Sequence, residues 1–63
     1  MNHLLRILIV ENYGTQADFA SKVGTDETIV SRVLRGRRTL PADKQAVWAK
    51  ALNCTIPDIF PEQ

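Results

Sequence analysis

The sequence predicts a small all-α protein of five helices, and three observations carry that prediction. Apolar residues recur at helical spacing along most of the 63 residues. Helix-starting residues (Asn2, Thr15, Asp26 and Thr55) stand before those periodic stretches, and Gly14, Gly24, Gly36 and Asn53 stand after them. The punctuation leaves no strand, linker, repeat or low-complexity segment, so the chain reads as one domain over residues 1–63.

Taken in order, Asn2 caps a first helix that runs to about Tyr13 and stops at Gly14. Six of the seven residues from Leu4 to Val10 are apolar. Leu5, Leu8, Ile9 and Asn12 form the face expected to pack inward. The remaining grease, Leu4 and Ile7 included, exceeds what a surface helix needs. The preferred reading is a helix packed deeply in a tiny core; a partner-binding face is the alternative. Thr15 caps a second helix from about Gln16 to Val23, with Asp18 as a near capping-box partner. In it Ala17, Phe19, Ala20 and Val23 share helical spacing, and Gly24 supplies the left-handed closing residue.

Asp26 caps a third helix, Glu27 to about Arg35, which divides cleanly into two faces. At about 100° per residue, Glu27, Thr28, Ser31, Arg32 and Arg35 fall in one arc, and Ile29, Val30, Val33 and Leu34 in the other. Gly36 ends this helix, and Arg37 to Leu40 form a connector. Pro41 is placed at the first position of a fourth helix, where Gln45, Trp48, Ala49 and Leu52 share a face. Trp48 lies on that inward stripe, so it reads as core. Thr55, Pro57 and Asp58 repeat the cap, early-proline and acidic signature for a last short helix, Ile56 to about Phe60. Cys54 reads as a small buried residue between the last two helices.

Composition bounds the function. A chain of this length lies near the lower limit for folding without a metal or disulfide, but 44% hydrophobic residues argue against disorder. One cysteine excludes an internal disulfide and fits a reducing, cytoplasmic setting. The run Leu4–Val10 is too short to span a bilayer and carries neither the leader nor the cleavage site of a signal peptide. A net charge of +1 is weak for a nucleic-acid binder. Its distribution is not, because Arg32, Arg35, Arg37 and Arg38 lie within seven residues while the acids are spread out. Lys22 and Lys44 have no such context and read as surface charges.

Two helices joined by a short glycine-containing turn, the second with a polar face, match a helix-turn-helix layout. Residues 15–36, TQADFASKVGTDETIVSRVLRG, resemble the helix-turn-helix of phage Cro/repressor-like (XRE-type) DNA-binding proteins. ADKQAVWAKALNCTIPDIF resembles the closing two helices of the same domains, and the likeness covers about residues 5 to 60. The resemblance implies a compact five-helix lambda-repressor-like DNA-binding domain with helices 2 and 3 as the motif.

It also implies roles. The base-reading positions of the family fall on Glu27, Thr28 and Arg32. Arg32 can donate two hydrogen bonds to guanine O6 and N7, and Thr28 can bond a base or meet a thymine methyl. Glu27 departs from the family's neutral or basic residue. It can accept from cytosine N4, hold Arg32 in place, or answer the positive end of its own helix. Gln16 matches the phosphate-contacting position at the start of the first motif helix, a site that a helix N-terminus favours by itself. Arg35, Arg37 and Arg38 would clamp phosphates beside the groove. The family pairs through the connector and the last helix, which places a dimer interface at Leu40, Pro41, Ile59 and Phe60.

The expected function is therefore a sequence-specific double-stranded DNA-binding regulator, a Cro-like repressor acting on a two-fold operator. Its expected state is a homodimer that need form only on DNA. An antitoxin of a toxin–antitoxin pair is the alternative within DNA binding, and a protein-interaction module on the same fold is the alternative outside it. No cofactor, small-molecule ligand, membrane or catalytic role is expected. His3 and Cys54 are too few and too far apart for a metal cluster or a nucleophile with its base, and the glycines stand singly.

Overall fold

A computed structural model describes residues 2–61. Those residues form five α-helices and no strand: α1 His3–Tyr13, α2 Gln16–Val23, α3 Glu27–Leu34, α4 Ala42–Ala51 and α5 Ile56–Ile59. The caps read from the sequence hold these helices locally. Asn2 Oδ1 accepts from the Leu5 N–H at 3.1 Å, Thr15 Oγ1 from Asp18 at 3.1 Å, and Asp26 Oδ1 from Ile29 at 2.9 Å. At α5, both the Thr55 N–H and its hydroxyl donate to Asp58 Oδ2, at 3.0 and 2.8 Å.

Three helices end alike. The N–H groups of Thr25, Arg37 and Cys54 donate back to the carbonyls of Ala20, Arg32 and Ala49. Those of Gly24, Gly36 and Asn53 donate to Ser21, Val33 and Lys50, which completes a Schellman closure each time. The residue at the turn must take positive φ. Glycine does so at 79° and 76°, and Asn53 at 56°.

One core joins all five helices: Leu5, Ile9, Phe19, Ala20, Val30, Val33, Leu34, Leu40, Trp48, Ala49, Leu52, Ile59 and Phe60. Helix α2 lies at its centre, packed on α1, α3 and α4. Phe19 carries that role, with its ring tilted on Tyr13 at 5.3 Å and edge-on to Trp48 at 5.0 Å. Polar ties add to the packing. The Asn2 backbone N–H donates to Leu34 O at 2.9 Å, and its side-chain amide donates to Ile59 O, so one residue joins α1 to α3 and α5. The Tyr13 hydroxyl donates to Ala51 O at 2.7 Å, which joins α1 to α4.

Four expectations are corrected. Pro41 is the N-cap of α4, with extended ψ of 157°, and the helix begins at Ala42. Asn12 does not pack inward; it is exposed, and its amide folds back on Leu8 O at 2.8 Å. Of the four α2 residues at helical spacing, Phe19 and Ala20 are buried, Val23 is only half-buried against the core, and Ala17 is exposed. The deep-packing reading of α1 fails as well. Leu5 and Ile9 fill its inward stripe, while Leu4, Ile7 and Val10 lie on the surface. Cys54 is half-buried against the core.

Candidate nucleic-acid interface

The segment from Gln16 to Leu40 carries every residue expected to meet a polyanion. Helix α3 is held against the core by Val30, Val33 and Leu34, with Ile29 half-buried at the margin. Its opposite face is open: Glu27, Thr28, Arg32 and Arg35 are exposed and Ser31 is half-buried. A rigid helix with one face anchored can present the other at a constant angle, which reading a groove requires.

The helical register orders that face. Thr28 and Arg32 are one turn apart and neighbours, as are Ser31 and Arg35. Glu27 and Arg32 are five positions apart, about 140° around the helix, at opposite margins of the arc. A Glu27 carboxylate holding Arg32 in place is therefore disfavoured by geometry. Beside Asp26, Glu27 sits in the first turn of α3, where the helix dipole is positive.

Beyond α3 the chain stays basic and stays tied. The closure at Gly36 redirects the backbone by the bond from Arg37 N–H to Arg32 O, 2.9 Å. Arg37, Arg38 and Thr39 are exposed, and the next residue, Leu40, returns to the core. Buried Gln45 holds that return through a bond from its Nε2 to Leu40 O, 2.9 Å. The arginine connector is thus a short bridge fastened at both ends. Thr39 and Gln45 were not singled out by sequence reasoning for this part. A glutamine on an otherwise apolar stripe was the available signal for Gln45.

Gln16 opens α2, half-buried, in the turn capped by Thr15. The first N–H groups of a helix have no intrahelical partner and can meet an anion. Asp18 in the same turn is exposed and adds a negative charge there. The structure brings Glu27, Thr28, Arg32 and Arg35 onto one face and sets Arg37 and Arg38 directly after it. Gln16 belongs to the helix packed against α3.

The residues expected at a dimer interface are distributed otherwise. Leu40, Ile59 and Phe60 line one surface depression together with Arg38 and Thr39, but all three are buried in the single chain. Only Pro41 of the four is exposed. For Leu40, Ile59 and Phe60, closing the core accounts for the apolar character.

Among the described residues, two ionisable groups depart from ordinary behaviour, Cys54 in the turn before α5 and Asp58 within it. The hydrogen bonds from the Thr55 backbone and hydroxyl hold the Asp58 carboxyl below the usual carboxylate range. Burial, and then the Asp58 charge, push the Cys54 thiol up. Among the described residues, no three His, Cys, Asp or Glu side chains are grouped to hold a metal ion, and no helix is long and apolar enough to cross a membrane. Comparison with protein-family models finds none that matches the chain, and comparison with curated proteins finds no match either.

Proposed function

We propose that the chain is a sequence-specific double-stranded DNA-binding regulator. In this reading α2, the Gly24–Asp26 turn and α3 act as a helix-turn-helix of the Cro/repressor-like kind. The observation that carries it is the exposed face of α3, running from Thr28 through Arg32 and Arg35 into the exposed Arg37 and Arg38. A helix fits the major groove of B-DNA, with residues of its first turns against base edges. Arg32 reads a guanine through two hydrogen bonds, and Thr28, one turn earlier, meets the adjacent base. Glu27 accepts from cytosine N4 or answers the dipole of its own helix. Gln16, Arg35, Arg37 and Arg38 contact phosphates and set the register without reading sequence. The protein acts in the cytoplasm, without cofactor or catalytic chemistry, as a repressor that occludes a promoter. It binds as a dimer on a two-fold operator with half-sites about 10–10.5 bp apart.

The test is selection of bound duplexes from a random pool, followed by titration of the selected site and of random DNA over a salt series. Arg32→Ala is expected to lose about 1–3 kcal/mol on the selected site and to relax preference at one base pair. Arg37→Ala or Arg38→Ala weakens binding to every sequence and flattens the salt dependence. Failure of any sequence to enrich would refute the reading. So would an Arg32→Ala variant that discriminates as well as the parent.

One observation favours a second reading, in which the domain binds a protein, as an antitoxin binds its toxin. That observation is the apolar stripe on the outer face of α1.

A further inference from the structure

Among the described residues, Gln45 is the one buried polar side chain, with 6% of its surface exposed, on the stripe it shares with Trp48, Ala49 and Leu52. Burying an amide is costly unless it is bonded, and a methionine would fill the same space without that cost. The amide reaches outside its own helix. Its Nε2 donates to the Leu40 carbonyl at 2.9 Å, and Leu40 is where the arginine connector ends. The other end is tied by the bond from Arg37 N–H to Arg32 O, also 2.9 Å. Between these two ties Arg37, Arg38 and Thr39 are exposed and outside any helix.

We propose that Gln45 is a positioning residue for phosphate contact, holding Arg37 and Arg38 in their bound geometry before DNA arrives. This role rests on the DNA-binding reading and adds to it a buried residue that touches no DNA itself. The physical reason is order. Fixing a residue's backbone costs conformational entropy, and a connector already fixed on folding does not lose that entropy again at binding. Without the amide, the buried Leu40 carbonyl is stranded and regains a partner only by moving out to water. The bridge then gives at that end, since its three residues are exposed. Arg32 stands on α3, which Val30, Val33 and Leu34 hold in the core, so base reading is left as it was.

Gln45→Met, which keeps the unbranched stem and removes the amide, tests this in the full chain. Parent and variant are titrated with the selected duplex and with random DNA, at a temperature where circular dichroism shows both folded. Gln45→Met is expected to weaken both duplexes roughly tenfold, the order set by freeing about one residue's backbone, and to leave their ratio unchanged. In a chain that also carries Arg37→Ala and Arg38→Ala, Gln45→Met should have no further effect, because no connector arginine is left to position. A merely structural role would lower affinity equally in both backgrounds, and that result overturns the proposal. So does a Gln45→Met chain that binds like the parent, or one that no longer discriminates between the duplexes.

A second readout needs no DNA. Amide order parameters at Arg37, Arg38 and Thr39 should fall in Gln45→Met while those of α3 stay at the parent's level. Unchanged order in the connector overturns the proposal even where the parent binds DNA. Should Gln45→Met unfold, Thr39→Gly loosens the same bridge from its exposed side and leaves the core intact. It is expected to weaken both duplexes by a similar factor, and unchanged affinity again overturns the proposal. A parent that binds no duplex overturns the DNA-binding reading and this role with it. A parent that binds while Gln45→Met and Thr39→Gly match it overturns the positioning role alone.

Discussion

Removing the Phe19 ring tests whether the aromatic contacts at the centre of α2 hold the domain together. Phe19 is fully buried, tilted on Tyr13 and edge-on to Trp48. Phe19→Ala leaves a cavity in a core of few side chains and should cost about 3–5 kcal/mol. A 63-residue chain has a total stability of roughly 3–9 kcal/mol, so this variant is expected to be largely unfolded. Phe19→Leu separates ring chemistry from volume. It keeps an apolar side chain but removes two aromatic pairs, each contributing about 0.5–1.5 kcal/mol beyond its area, or about 1–3 kcal/mol together. The melting temperature should fall by roughly 4–8 °C per kcal/mol lost. Circular dichroism follows the helices, and fluorescence of Trp48, the only tryptophan, follows the core in the same sample. If Phe19→Leu melts with the parent, the ring pairs do not hold α2 in place. If Phe19→Ala also stays folded with less than about 1 kcal/mol lost, the core itself has been misassigned.

Three further outcomes follow from particular contacts. Asn53 closes α4 with a φ of 56°, so Asn53→Ala should lose about 1 kcal/mol in urea unfolding while Asn53→Gly holds or gains stability. Gln45→Leu keeps the apolar stem but strands the buried Leu40 carbonyl, and should cost about 1–3 kcal/mol by the same assay. Asp58 has its pKa depressed in the folded state, so its contribution is present above the ordinary carboxylate value of 3.8 and is lost as pH falls through the lower folded value. Asp58→Ala should therefore flatten the acid limb of the melting-temperature profile below that pH. A parent and variant with parallel acid limbs would show that the Thr55 bonds do not hold the carboxylate.

What the sequence alone determined is local. Asn2, Thr15 and Asp26 cap helices because a short polar side chain reaches a backbone N–H three residues on, and no other part of the chain is needed. Gly24, Gly36 and Asn53 end helices because only such residues accept positive φ readily. The stripe Gln45, Trp48, Ala49 and Leu52 was legible because helical spacing dictates a shared face, and all four are buried. The open face of α3 was legible for the same reason. How far each apolar residue is buried belonged to the tertiary structure, since burial depends on what the other helices leave uncovered. That is why Leu40 in the connector and Ile59 and Phe60 at the last helix went into the core while Leu4, Ile7 and Val10 stayed outside. Periodicity shows which residues share a face, but a helix with two apolar faces gives no sign of which one turns inward. The ties of Asn2 to Leu34 and Ile59 were invisible for a related reason. A hydrogen bond across 57 residues exists only once the packed helices have brought its ends together.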